Sequence, residues 1–201
     1  MPSTNVSLSE EEQMLVRDTN FLLKKRDIIN KVYDLFAVLA KEIDNNKRLN
    51  SLLAEYEVEK SVPKISKGEN YLGLPYVVLD HPKVFNEIHV FSIRTFFWWG
   101  NFFSISIHLA GGFKVLFERK LKQKKIMLPE DIFICIHEAP WQYHFESDNY
   151  ISAQGKSSEE LTEFMIQKEF IKMAFKLDIT HWNEAEDWCV RKYDEIGLLL
   201  D

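Results

Sequence analysis

The sequence predicts an α+β fold: helices at both ends of the chain pack on an antiparallel sheet built from its middle. Three observations predict it. Apolar residues recur at helical spacing near both ends, ring-rich alternating runs fill residues 76–146, and Gly100-Asn101 splits the longest apolar neighbourhood into two runs of hairpin length (89–110). At 201 residues, the whole of 1–201 is read as one domain: a helical segment at 9–57, a sheet of about four to six strands at 76–146, and two C-terminal helices at 157–198.

The first helical stretch opens on two overlapping capping boxes, Ser7 with Glu10 and Ser9 with Glu12. Leu15, Leu22, Ile29, Phe36 and Ile43 then form one row, with Met14, Phe21, Ile28 and Leu35 beside it. This predicts one long helix, or two nearly collinear ones, over 9–44. Asp18 and Lys25 interrupt the stripe in its first half, and Val32 and Leu39 widen it after Ile28. Docking on the protein's own sheet is the plain expectation for such a stripe. Contact with a partner helix, as in a homodimer through the N-terminal helix, is the functional one.

A short second helix carries Leu49, Leu52, Leu53 and Tyr56, and residues 58–75, with two Pro and two Gly, read as a connection of which part is extended or lines a pocket. Strands are expected at 76–80, ended by Pro82, then at 89–99, 102–110 and 132–137, with 141–145 continuing the sheet beyond Pro140. Residues 114–121 fit either a strand or a short helix. Ser157 with Glu160 opens a helix expected to run to residue 176, and Asn183 opens the last one.

Composition narrows the function classes. The net charge of −6 argues against nucleic acid, whose binders carry a basic surplus. The basic stretch at 114–125 is flanked by acidic segments and reads as a solvated face. No apolar run reaches the ~18 residues of a membrane span, and the N-terminus lacks the basic start and apolar run of a signal peptide, so a cytoplasmic location is expected. Cys135 and Cys189 read as small buried hydrophobes, too few and too distant for a disulfide framework or a zinc site. Neither a nucleophile elbow nor a phosphate-binding glycine loop is present, and no cofactor or metal is expected.

One surface stands out. A two-residue reversal at Gly100-Asn101 would pair Trp99 with Phe102, Phe97 with Ser104, Thr95 with Ser106 and Ile93 with His108. Large rings, hydroxyls and an imidazole would then share one side, a mixture typical of ligand sites. Phe97, Trp99, Phe102, Ser104, Ser106 and His108 are therefore the candidate lining residues. The opposite side, with Trp98, Phe96, Arg94 and Ser92, reads as the drier one, where Arg94 would need an acidic partner if buried.

Three functional readings follow. The first is a non-catalytic domain that binds a small molecule or a protein through the mixed face. The second is a metal-dependent or acid–base enzyme using His108, His137 and His144 with Glu138, residue types able to ligate or shuttle protons but without a recognised spacing. The third, resting on the acidic charge alone, is an inhibitor or immunity-type protein with a basic partner.

Overall fold

A computed structural model describes residues 6–59, 61–123 and 128–201. Its elements run α1 (Glu10–Arg17), α2 (Thr19–Asn45), α3 (Lys47–Glu55), β1 (Lys64–Tyr71), β2 (Leu74–Phe85), β3 (Val90–Trp98), β4 (Phe102–Ala110), α4 (Gly112–Gln123), β5 (Phe133–Cys135), β6 (Tyr150–Ser152), α5 (Ser158–Ile166), β7 (Phe170–Asp178), a 3-10 turn (Ile179–Glu184) and α6 (Ala185–Leu200). The strands form one antiparallel sheet in the order β1-β2-β3-β4-β7-β5-β6. The fold is α+β, as the sequence predicts.

Local signals explain most of these elements. Ser9 caps α1 with both halves of the box in place, its Oγ accepting from Glu12 N and its own N donating to Glu12 Oε2 at 2.7 Å. The long stripe is broken at Asp18, which caps α2 by accepting from Phe21 N at 3.0 Å. Ser157 caps α5 in the same way. The ambiguous 114–121 stretch lies within helix α4. The basic run at 124–125 lies outside the described residues.

Helices α2, α3 and α6 cover one sheet face. Val32, Phe36, Leu39 and Ile43 of α2 meet Val77, Leu79, Ile93, Phe97, Phe103 and Ile107 of the strands in a single apolar core. Its polar pair is Thr95 with Tyr193, whose hydroxyls lie 2.6 Å apart.

Three expectations need correction. The helix that Ser157 opens ends at Ile166, and Phe170–Asp178 is strand β7, between β4 and β5. Ile171, Met173, Phe175 and Leu177 alternate, and that period-two pattern prevails over the coincidental helical spacing of Ile171, Ala174 and Phe175. Residues 64–71, within the connection expected to be partly extended, form edge strand β1, but β2 is not ended by Pro82: it extends through the cis His81-Pro82 bond to Phe85 across a register shift. Residues 141–145 add no strand; they belong to an irregular segment, 136–149, that crosses the second sheet face.

The hairpin register is also displaced. Trp98 pairs with Phe102, so the loop is Trp99-Gly100-Asn101 and every pair sits one residue from the predicted one: Phe97 opposes Phe103, Thr95 opposes Ile105, and Arg94 opposes Ser106. Trp99 N donates to Pro75 O of β2 at 3.0 Å, Asn101 N to Trp98 O at 3.0 Å, and Gly100 takes φ +71°. A two-residue turn would leave Trp99 opposite Phe102 and put β4 out of step with β3. A three-residue loop with glycine in the left-handed region avoids this.

Candidate functional site

The displaced register sorts the predicted lining residues onto different sides. Phe102, Ser104, Ser106 and His108 do share a face, but their neighbours on β3 are Trp98, Phe96, Arg94 and Ser92. Phe97 lies in the helix-side core, and Trp99 sits in the loop packed against that same core. Arg94, expected on the dry side, is thus on the polar one.

That face is covered by the chain itself. Residues 136–149 lie over it as a strap. Tyr143 stacks on Phe96 with ring centroids 5.2 Å apart, and Phe145 wedges among Phe102, Phe133 and Tyr150 at 4.8–5.1 Å. Ser104, Ser106 and His108 are 3%, 5% and 8% exposed, so a ligand reaching them would have to displace the strap.

A network of charged and phenolic groups fastens it. Arg94 grips Asp80 with two bonds, Nε to Oδ1 at 2.6 Å and a terminal nitrogen to Oδ2 at 2.9 Å, and its other terminal nitrogen donates to the Tyr143 hydroxyl. The Tyr71 hydroxyl accepts from the backbone N–H of Tyr143 at 2.7 Å and of His144 at 3.0 Å. Lys172 Nζ donates to the carbonyls of Pro140 and Gln142 at 2.7 and 2.5 Å and lies 4.1 Å from the Tyr143 ring centroid. Asn149 Nδ2 donates to His144 O at 2.5 Å.

Burial sets the protonation states. It pushes the Lys172 ammonium down to about 7, and the neighbouring Arg94 charge acts in the same sense. It pushes His108 down to about 4, assisted by the charges of Lys172 and Arg94, so this imidazole is neutral at pH 7. It raises the Tyr143 phenol to about 12. At neutral pH Lys172 is thus divided between ammonium and amine, and both forms carry the two N–H donors that the Pro140 and Gln142 carbonyls accept.

The residues of the enzymatic alternative do not meet. His108 makes edge contacts with Trp141 and Phe170, His137 Nδ1 accepts from Ala139 N at 2.9 Å, and Glu138 is solvent-exposed and paired with Lys168. His144 is a half-buried residue of the strap itself, with Asp148 at 3.8 Å. Among the described residues, no three His, Cys, Asp or Glu side chains lie close enough to hold a metal ion.

The other unusual surface is at the N-terminus. None of the eight residues of α1 is buried, and Met14, Leu15 and Leu22 are 75%, 59% and 58% exposed. Phe21 and Leu23 are also exposed; only from Ile29 onward does α2 sink its stripe into the core. At the base of this arm, Lys25 pairs with Glu69 of β1 at 2.6 Å beside a groove of about 510 Å³ lined by Leu22, Arg26, Ile29, Tyr33 and Lys67. Sequence periodicity marked the stripe as narrow here, but not that the sheet edge falls at this point.

Comparison with family models, with curated proteins and with solved structures gives no match. Among the described residues no helix is long and apolar enough to cross a membrane.

Proposed function

We propose that this chain is a protein-interaction domain whose N-terminal arm, α1 and the first turns of α2, pairs with an amphipathic helix of a partner. One observation carries the reading: Met14, Leu15, Phe21, Leu22 and Leu23 stand in water on helices that are properly capped and regular. Folded monomers seldom leave contiguous apolar patches beyond a few hundred Å² uncovered, and larger ones mark binding surfaces. Helix-in-groove recognition reads anchors at this spacing. The three carboxylates that open α1, Glu10, Glu11 and Glu12, oppose an anionic lipid surface or a nucleic acid as the partner.

Placing a photo-crosslinking amino acid at position 15 or 22 of the full chain in its native cell tests the reading. Leu198, exposed on α6, is the control position. A discrete protein adduct from both arm positions, and none from the control, is expected. Absence of any adduct from the arm overturns the proposal.

A further inference from the structure

Resting on that reading, we infer that the partner helix is the arm of a second copy of this chain, laid antiparallel about a two-fold axis at Asp18. The arm is complementary to itself when reversed. Its first half is acidic, Glu10, Glu11 and Glu12, and its second half is basic, Lys24, Lys25 and Arg26. Reversal about Asp18 sets each acidic end against the basic end of the other copy.

The apolar groups match in the same register. On α1, Glu11, Met14 and Leu15 fall on one side at helical spacing, and on α2 the corresponding side holds Phe21, Leu22 and Lys25. Antiparallel pairing brings Met14 to Leu22, Leu15 to Phe21, and Glu11 to Lys25. A parallel pairing would instead juxtapose the acidic triplets.

The groove fits the same occupant. Leu22, Ile29 and Tyr33 provide an apolar floor, and Lys25, Arg26 and Lys67 a basic rim with Glu69 as its acid. An incoming α1 offers apolar side chains and three carboxylates. The chain's own α1 is poorly placed to fill that groove, because the single residue Asp18 separates it from α2. An isologous contact of this kind uses each patch twice, which doubles the apolar area covered.

The test is the mass of the full chain in solution, by light scattering and sedimentation. Twice 23.8 kDa is expected, with Leu15→Glu plus Leu22→Glu weakening association by more than ~100-fold while leaving the thermal transition of the dilute protein unchanged. The register is read separately: Met14→Cys with Leu22→Cys should form an interchain disulfide under mild oxidation, and Met14→Cys alone should not. A monomer at every soluble concentration overturns the inference, as does a dimer indifferent to the two glutamates or one that crosslinks through Met14→Cys alone. Should the chain be monomeric while position 15 still captures a protein of another mass, the interaction reading stands and the second copy falls. Should both experiments fail, both fall.

Discussion

The two faces of the sheet are sealed in different ways. On one, helices α2, α3 and α6 satisfy their own backbone internally and need only bury side chains, so the strands offer them Val77, Ile93, Phe97, Phe103 and Ile107. On the other, the cover is a strap with no helix or strand, whose amides and carbonyls must find partners elsewhere. The face beneath therefore supplies them: a phenol for two N–H groups, an amine for two carbonyls, and a guanidinium for a tyrosine. Polar residues on a buried sheet face can thus serve an irregular cover, and their presence alone does not mark a ligand pocket.

Substitutions on the two sides should differ in kind. The largest loss is expected on the helix side: Phe103→Ala removes a fully buried ring and should cost about 3–5 kcal/mol by urea unfolding, with no dependence on pH. On the strap side, Arg94→Met leaves Asp80 buried without its partner and should cost about 3 kcal/mol, most of which a second change, Asp80→Leu, should restore. If the double variant is no better than the single one, the pair is not what matters at that position.

Acid should separate the faces further. His108 is held near pKa 4 against an ordinary value of 6.5, so between those values the unfolded chain takes up a proton that the folded one refuses. The imidazole's contribution is whole above about pH 6.5 and fades as pH falls toward 4, by up to ~3 kcal/mol. His108→Gln should flatten that part of the stability profile, whereas Phe103→Ala should shift the profile without changing its shape. The smallest effect belongs to the polar pair on the dry side. Thr95→Val should cost about 1–2 kcal/mol by stranding the Tyr193 hydroxyl, and Tyr193→Phe beside it should recover most of that loss. An unimproved double variant would show that packing, not the hydroxyl pair, governs this spot.

Features carried by short-range rules were legible in the sequence: the Ser9 and Ser157 caps, the seven-residue apolar row, the existence of a hairpin near Gly100 and the α+β class. What escaped depends on a single residue or on distant chain. A hairpin loop of two residues and one of three differ by one step, and that step exchanges every side chain of one strand between faces. It was enough to put Phe97 and Arg94 on the wrong sides. Strand β7 was hidden because Ile171, Ala174 and Phe175 satisfy a helical period as well as Ile171, Met173 and Phe175 satisfy an extended one. The strap network joins Tyr71, Asp80, Arg94, Tyr143 and Lys172 across a hundred positions, and no local pattern announces it. The arm was visible as a stripe, but where the sheet stops beneath it is a property of the assembled fold.

Edge strand β1 touches both stories. Its Glu69 holds the base of the arm through Lys25, and its Tyr71 holds the strap through two amides. A disturbance that peels this outermost strand would loosen both ends of the molecule at once, although arm and strap lie on opposite sides of the sheet.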